Sequence, residues 1–415
     1  MSKAIVIIGA GHAGVQAAAS LREEGFDGTV TLVGDETDLP YHKPPLSKTF
    51  IKDLSAKPLM LRAEAFYTGA SIDLRLGERV ERIDLAAKRL EFSGGGHIGF
   101  DHAILATGSR PRDLTLQGGP LDGVVSLRSL ADARIIRDLS AATEDVVILG
   151  GGFIGLEIAA TLAQGGRRVT VVEAQDRLLA RVVAPAISAH VAGRLAASGV
   201  RLLTRTTIDR LEGADGRLRG AVTSGGERIA AGMLVVGIGV VPNAELAVAA
   251  GLATANGVSV DGQLRSSAPE ILAIGDVASY RHWLGGETMR LESVQNATDH
   301  ARLAARTITG HADNYAAVPW FWSDIGDMKL QMVGLTAGSD RQIVSGDTEA
   351  NRISVFHYRS DRLAGIESVN RPADHMLGRK MMGAGFSPGA ELVAGGSDLG
   401  AAFSAWRQSN PVERA

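Results

Sequence analysis

Short apolar runs recur along roughly the first 280 residues, and most of them end in a glycine turn. They cover residues 5–8, 103–106, 146–149, 233–236 and 271–274. Runs of this length without polar alternation are typical of strands buried on both faces, as in a parallel sheet. The first and third runs are followed by long helical patterns. The pattern therefore predicts an α/β fold with parallel sheets.

The pattern changes near Pro319. Residues 330–335 and 353–358 tend to alternate apolar and polar side chains, and a helical pattern follows at 371–382. Alternation of this kind is typical of antiparallel strands. Residues 386–415 are rich in glycine and serine and hold few large apolar side chains. We expect a C-terminal α+β domain over residues 318–415, with a loose tail from residue 386.

The same glycine motif follows two of the apolar runs. In G-x-G-x-x-G, the first glycine makes a tight turn, the second lets the backbone approach a pyrophosphate, and the third lets the helix pack on the strand. The amide groups at the helix start then face the phosphates. The two copies consist of Gly9, Gly11 and Gly14, and of Gly150, Gly152 and Gly155. Two copies predict two Rossmann-like dinucleotide-binding domains.

Each motif is followed by an acidic residue at the end of the next strand, about 20 residues further on, where a ribose hydroxyl needs an acceptor. These residues are Asp35 and Glu173. Because a carboxylate repels a 2′-phosphate, Glu173 favours NADH over NADPH. Arg177 is close enough in sequence to leave the second alternative open.

Each copy also closes in the same way, with an apolar strand, a glycine turn and a proline. The two closures run over residues 102–111 and 233–242. This second level of repetition places the boundaries and predicts that one dinucleotide-binding domain is inserted in the other. We assign residues 1–110 and 243–317 to the first domain and residues 111–242 to the second.

Two charged residues outside the motifs are candidates for the site. Asp276 ends the apolar run at 271–274, where doubly wound sheets bind ligands, although aspartate is also a good helix cap. Lys48 follows a loop that Pro44 and Pro45 stiffen. It is either a cation held against a flat ring or a solvated surface lysine.

Composition excludes several classes of function. The 415 residues include no cysteine, which excludes disulfide chemistry, a thiolate nucleophile and a cysteine-bound iron–sulfur cluster. The formal net charge of −3 argues against non-specific nucleic-acid binding. No stretch reaches the roughly 20 apolar residues of a membrane span. We therefore expect a cytoplasmic protein with no membrane, nucleic-acid or metal partner of its own.

The motifs together resemble one family. In chain order they are residues 9–14, 44–48, 106–108, 150–157, 237–239, 274–276, 292–297 and 319–323. This ordered set, which spans roughly residues 4–382, resembles the oxygenase-coupled NADH-dependent ferredoxin reductases. Such reductases often carry cysteine after the Gly275-Asp276 pair, where this chain has Val277.

The resemblance implies FAD and NADH as cofactors and assigns a set of residues to them. Lys48 is expected to stabilise the negative charge that a flavin gains on accepting hydride, and Glu157, near the nicotinamide, is expected to be its partner. Glu157 could also serve only as a favourable charge at a helix N-terminus. The remaining cofactor-binding residues that the resemblance and the motifs indicate are Gly9, Gly11, Ala13, Gly14, Asp35, Val80, Ala106, Thr107, Gly108, Arg128, Asp276, Val294 and Trp322 for FAD, and Gly150, Gly152, Ile154, Gly155, Glu173 and Gly239 for NADH.

The same resemblance implies an external electron acceptor, a 2Fe-2S ferredoxin that feeds a haem monooxygenase or a ring-hydroxylating dioxygenase. The candidate docking residues are Arg290, Arg302, Arg306 and Lys329. A rubredoxin or another acceptor is the alternative within enzymes. A non-catalytic NADH-sensing flavoprotein resembling apoptosis-inducing factor is the alternative outside them. A monomer is the expected state.

Overall fold

The computed structural model describes residues 3–311 and 313–410. The chain divides into two units by its internal contacts. The first unit holds residues 1–45, 57–110 and 240–317, and the second holds residues 46–56, 111–239 and 318–415. Segment 46–56 therefore belongs to the second unit, although the sequence predicted it within the first dinucleotide-binding domain.

The described part of the chain contains strands and helices in regular succession. The strands are β1 Ala4–Ile8, β2 Thr29–Gly34, β3 Ile72–Leu76, β4 Val80–Asp84, β5 Arg89–Phe92, β6 His97–Gly99, β7 His102–Leu105, β8 Ser109–Pro111, β9 Val124–Ser126, β10 Asp145–Leu149, β11 Arg168–Val172, β12 Arg201–Leu203, β13 Ile208–Ala214, β14 Arg217–Thr223, β15 Arg228–Ala230, β16 Met233–Val236, β17 Val240–Pro242, β18 Thr254–Ala255, β19 Gly257–Val260, β20 Ile271–Ala273, β21 Ala278–Arg281, β22 Thr288–Met289, β23 Trp320–Ile325, β24 Met328–Gly334, β25 Arg341–Asp347, β26 Arg352–Arg359 and β27 Arg362–Val369. The helices are α1 His12–Glu23, α2 Thr49–Lys52, α3 Glu64–Gly69, α4 Leu130–Ala142, α5 Phe153–Gln164, α6 Pro185–Ala197, α7 Glu245–Ala249, α8 Val294–Thr309, α9 Pro372–Gly383, α10 Ala390–Ala394 and α11 Leu399–Ser409. Short 3₁₀ turns cover Pro44–Ser47 and Gly275–Val277.

The first unit is built on a five-stranded parallel sheet in the order β20-β7-β1-β2-β3. The apolar runs of the sequence form its central strands, in which Ile5 and Ile7 are inaccessible to solvent. Helices α1 and α8 pack on one face of this sheet and bury alanine-rich surfaces. Helix α8 begins at the Ser293 cap and ends at Gly310 in the left-handed conformation.

The second unit repeats this arrangement. Its parallel sheet has the order β12-β11-β10-β16-β9, so β10, β11 and β16 take the places of β1, β2 and β7. A five-stranded antiparallel sheet, β23-β24-β27-β26-β25, belongs to the same unit. One apolar core runs from α6 to this sheet through Ile187, Val191, Ile353 and Val355. This shared core explains why residues 318–415 group with residues 111–239. The α/β fold with a C-terminal sheet domain is confirmed.

The predicted loose tail is ordered in its described part. Residues 386–410 include α10 and α11, and Asp398 caps α11 by accepting from the Ala401 amide. Phe386, Phe403 and Trp406 stack together, with ring centroids 5.2 to 6.1 Å apart. The expectation from composition was wrong because three aromatic rings are enough to anchor a short helix pair. Residues 411–415 lie outside the described part of the chain.

Candidate functional site

The first glycine motif links β1 to α1 as the sequence predicted. Gly9 has φ +111°, and a Cβ atom there would lie 2.3 Å from the carbonyl oxygen of Ala106. A Cβ on Gly14 would lie 1.9 Å from the Gly9 carbonyl oxygen, so the third glycine allows the helix to contact the turn. A Cβ on Gly11, at the helix start, would meet no atom within 4 Å. The open cradle in front of Gly11 fits a pyrophosphate.

The second motif has the same geometry. Gly150 has φ +109°, and its Cβ would lie 2.3 Å from the Gly237 carbonyl oxygen. A Cβ on Gly155 would lie 2.5 Å from the Gly150 carbonyl oxygen, whereas at Gly152 the nearest atom is 4.0 Å away. Two equivalent cradles, each at the start of a buried helix, fit two dinucleotides.

The acidic residues that end β2 and β11 differ in their surroundings. Asp35 is exposed and lies 3.6 Å from an Arg79 guanidinium nitrogen. Glu173 accepts from the Gly151 amide at 2.6 Å and from the Gln175 amide at 2.7 Å. Arg177 is the residue that left NADPH binding as an alternative. Its guanidinium donates to carbonyl groups of its own loop. Two backbone amides therefore hold the Glu173 carboxylate in one orientation beside the second motif.

Glu157 is a buried carboxylate that receives donors from two other segments of the second unit. It is the fifth residue of α5, just beyond the first turn, and is 4% exposed. Lys48 Nζ lies 2.9 Å from Oε1, and Ser323 donates its hydroxyl to the same oxygen at 2.7 Å. Ser47 donates its hydroxyl to Oε2, and the Asp324 amide donates to Oε1 at 3.2 Å. A buried carboxylate requires such partners, because desolvation of an unpaired charge is costly.

Local structure explains how these donors reach Glu157. The turn Pro44–Ser47 leads into Lys48, which precedes the single turn of α2. Thr161, one turn further along α5, donates to the Ser47 carbonyl oxygen at 3.0 Å. Residues alternate sides along β23, so Phe321 and Ser323 share the side that meets α5, and Phe321 contacts Phe153 with ring centroids 4.8 Å apart.

The Lys48–Glu157 ion pair that the sequence analysis expected is present. Sequence reasoning did not find Ser47 and Ser323. Both stand in motifs that it singled out, at residues 44–48 and 319–323. Serine is too common in turns and strands for either position to indicate a bond to a residue more than 100 positions away.

The other FAD residues predicted in the first unit lie mostly at the carboxyl edge of its parallel sheet. Ala106 follows β7, and Thr107 donates its hydroxyl to the Asn243 carbonyl oxygen at 2.7 Å. Gly108 accepts the Asn243 amide at 2.9 Å. Val294 opens α8, Ala13 is in the first turn of α1, and Val80 opens β4 in a separate antiparallel sheet.

Asp276 lies in the turn that follows β20. Its carboxylate accepts from Ser109 Oγ at 3.0 Å, and its carbonyl oxygen accepts from Arg290 at 2.9 Å. The preceding Gly275 donates its amide to His300 Nδ1 at 3.2 Å. His300 is completely buried, which lowers its pKa to about 3, with a further contribution from His282. A neutral imidazole therefore holds the turn that presents Asp276.

The remaining predicted residues lie in the second unit. Arg128 precedes α4, and its amide donates to Asp132, part of the capping box at that helix start. Trp322 is half-buried on β23 and stacks with Trp320 at 5.7 Å. Ile154 is 48% exposed on the first turn of α5, and Gly239, with φ +105°, accepts the Arg112 amide.

One candidate docking residue is not available at the surface. The Arg290 side chain is only 7% exposed, because it bonds to Asp276 and pairs with Glu292 at 2.6 Å. Its expected place on a basic docking face was wrong. Arg302 is exposed and Arg306 is partly exposed, and they pair with Asp299 and Asp313. Lys329 is exposed on β24.

Two further properties bear on the kind of site. Within residues 3–311 and 313–410, no three histidine or acidic side chains cluster closely enough to hold a metal ion. Across the same described residues, none of the helices combines the length and apolar character needed to span a bilayer.

Comparison with protein-family models decides the family. Residues 3–301 match the model described as pyridine nucleotide-disulphide oxidoreductase, and residues 320–401 match the reductase C-terminal model. The chain belongs to the pyridine nucleotide-disulphide oxidoreductase family. Membership implies FAD and NADH as its two cofactors, in agreement with the two cradles. The disulphide chemistry in the family's description is excluded here, because the sequence has no cysteine.

Curated relatives cover nearly the whole chain. Rhodocoxin reductase of Rhodococcus erythropolis is 45% identical over 91% of this chain and 89% of the relative. A rubredoxin-NAD(+) reductase of Pseudomonas putida is 40% identical over 89% of this chain and 96% of the relative. The enzyme class, an oxidoreductase, is thereby confirmed.

Solved structures agree with this family assignment. The ferredoxin reductase for the CYP199A2 system from Rhodopseudomonas palustris superposes with a TM-score of 0.92, at 44% identity, over 94% of this chain and 97% of that one. The reductase in a covalent putidaredoxin reductase–putidaredoxin complex superposes with a TM-score of 0.88, at 37% identity, over 91% and 92%. The family resemblance drawn from the sequence is confirmed.

Proposed function

We propose that this protein is an NADH-dependent ferredoxin reductase that passes electrons from NADH, through FAD, to a small 2Fe-2S ferredoxin. The observation that carries the proposal is the pair of glycine cradles, at Gly11 and Gly152, each with an acidic residue at the end of the next strand. The relatives named as reductases of small electron carriers support the choice of acceptor.

The cofactors supply the chemistry, since bound FAD accepts a hydride and releases the two electrons singly. The protein binds and orients them. Residues of the first motif and Asp276 are assigned to FAD, and residues of the second motif and Glu173 are assigned to NADH. Neither assignment requires a residue that abstracts a proton. The proposed reaction therefore needs no nucleophile activated by a general base.

Lys48 and Glu157 are assigned the electrostatic part of the reaction. Lys48 is the cation that would stabilise negative charge developing at the flavin, and Glu157 fixes its position through the 2.9 Å ion pair. Ser47 and Ser323 in turn fix the carboxylate. Because these hydrogen bonds and the ion pair fix both charged groups, little reorganisation is required during the reaction.

Rubredoxin is the second candidate acceptor, favoured by the relative that is 40% identical and named for it. The domain assignment also belongs to the proposal. FAD is expected on residues 1–110 and 243–317, and NADH on residues 111–242. Residues 318–415 are expected to cover the flavin. That the protein is a monomer, and that it lies in the cytoplasm, stay predictions.

Steady-state turnover with a choice of acceptors tests the proposal. The purified protein, NADH and either a 2Fe-2S ferredoxin or a rubredoxin are combined, and reduction of the acceptor is followed by its absorbance. We expect a clearly higher kcat/KM with the ferredoxin. Faster turnover with rubredoxin would move the proposal to the second acceptor. NADH-reducible flavin that reduces neither would favour an NADH-sensing flavoprotein.

A further inference from the structure

A loop of the second unit, residues 177–184, lies against the second glycine motif. The Leu179 amide donates to the Gly151 carbonyl oxygen at 2.9 Å. Leu178 is 1% exposed, and its Cδ2 would lie 2.8 Å from a Cβ on Gly151. Gly151 is also the residue whose amide bonds to Glu173. The loop and the carboxylate assigned to the ribose therefore meet at one glycine.

This loop has a conformation that needs support. Leu179 has φ +53°, a left-handed conformation that is unfavourable for a leucine. Ser188 of α6 donates its hydroxyl to the Leu178 carbonyl oxygen at 2.6 Å, which holds the beginning of the loop. A strained backbone of this kind persists only when the surrounding contacts stabilise it.

The far end of the loop is held by the C-terminal sheet. The Ala184 amide, at the start of α6, donates to Oε2 of Glu367 at 2.7 Å. Glu367 is on β27 and is 1% exposed, and Ala184 is 3% exposed. Oε1 of Glu367 lies 3.1 Å from His357 Nε2, within ion-pair distance, although the two groups are not aligned as a hydrogen bond. His357 Nδ1 lies 3.1 Å from Ser339 Oγ.

A carboxylate in the interior of a sheet is costly, and an apolar side chain would pack there at lower cost. Among the described residues, Glu367 bonds outside its own sheet to the Ala184 amide of the loop. We infer that Glu367 is a positioning residue for dinucleotide binding. Through the Ala184 amide it holds residues 177–184 against the second motif, so the C-terminal domain sets the affinity for NADH. The inference rests on the proposed NADH site.

The variant Glu367→Leu tests this inference. It removes the acceptor and leaves a buried amide unpaired, so we expect the KM for NADH to rise about tenfold, with kcat within about twofold of the wild type. The inhibition constant of ADP-ribose, which is the dinucleotide without its nicotinamide ring, should rise equally. Glu367→Gln retains an oxygen acceptor and should stay close to the wild type.

Two further variants keep the test decisive. Ser368→Ala is the control, since Ser368 is as buried on the same strand and bonds only within the sheet in this structure, to the Gln331 carbonyl oxygen. It should leave the KM unchanged. Ala184→Pro deletes the same hydrogen bond from the loop side at φ −60°, which proline adopts readily. It should raise the KM as Glu367→Leu does, and it replaces that variant if the latter does not fold.

Trypsin gives a readout that does not depend on NADH chemistry. Arg181 is exposed on the loop, so Glu367→Leu should speed cleavage after this residue by about tenfold, because the opened fraction of the loop grows. Wild-type KM or wild-type cleavage in both hydrogen-bond variants would overturn the inference. A wild-type protein that never oxidises NADH would overturn the proposed function instead, while the cleavage assay would still report on the loop.

Discussion

The two glycine motifs have nearly the same backbone, yet the helices that follow them differ in chemistry. Two residues after the last glycine, α1 carries Gln16 and α5 carries Glu157. Gln16 donates to Ser20 on its own helix at 3.0 Å, whereas Glu157 is buried and bonded to Lys48, Ser47 and Ser323. The glycines determine how close a dinucleotide can approach. The residue that follows them, and the segments packed against it, determine what the site does.

The acidic residues show the same contrast. Asp35 is exposed and has an arginine nearby, while two backbone amides hold Glu173 in one orientation. A fixed acceptor discriminates between ligands better than a mobile one, because it cannot move away from a 2′-phosphate. We therefore expect the second site to select its dinucleotide more strictly than the first.

The largest expected effect comes from Lys48→Met. Removal of the cation from the pair should slow flavin reduction by NADH about 100-fold, as is typical when a preorganised charge is lost. Stopped-flow absorbance under anaerobic conditions measures this rate. Lys52→Met, on the exposed side of α2 in the same segment, is the control and should react as the wild type does. An unchanged rate in Lys48→Met would remove its assigned role.

Exchange of Glu157 for Gln sharpens the comparison of the two helices. It retains the shape and an acceptor but removes the charge that pairs with Lys48, so we expect flavin reduction to slow about tenfold. Gln16→Ala, at the equivalent position of the first motif, should leave the rate unchanged. Equal effects at the two positions would show that both act only through helix packing.

The acidic residues give an intermediate effect. The wild type should prefer NADH over NADPH by at least about tenfold in kcat/KM, and Glu173→Ala should remove most of this preference. Asp35→Ala should leave the preference unchanged, because Asp35 follows the first motif, which is assigned to FAD. The ratio of kcat/KM values for the two nucleotides is the measurement. Equal use of NADPH by the wild type would contradict the assignment of Glu173.

A further expected effect, on stability and not on turnover, concerns buried histidines in the two units. Burial lowers the pKa of His300 in the first unit to about 3, and burial, with Arg379 nearby, lowers that of His375 in the second to about 4. Below about pH 6.5 the unfolded chain takes up protons that these folded groups do not, so stability falls as the pH decreases.

For one such histidine, the free energy of unfolding should be about 2 kcal/mol lower at pH 5 than at pH 6.5. Denaturant titrations of His300→Asn and His375→Asn should each show a shallower pH dependence than the wild type, and His97→Asn, at an exposed position, should not. The same pH dependence in all three variants would show that other groups determine the stability at low pH.

Much of the fold could be predicted because its signals are local. Apolar runs, glycine motifs and the strand–glycine–proline closures each occupy a few consecutive residues, and they predicted both parallel sheets. The Lys48–Glu157 pair was expected from the family resemblance together with the stiff loop at Pro44 and Pro45. The roles of Ser47, Ser323 and Glu367 could not be predicted, because each depends on bonds between residues 110 to 183 positions apart. The order of residues 386–410 was missed because it depends on three aromatic side chains meeting in space.

Anaerobic titration of the purified protein with NADH tests the central claim, two dinucleotide sites on one chain, most directly. We predict a yellow protein with one FAD per chain, whose absorbance near 450 nm is bleached by about one equivalent of NADH, since the flavin accepts two electrons. A colourless protein that cannot be reconstituted with FAD, or a flavin that NADH does not reduce, would contradict the account.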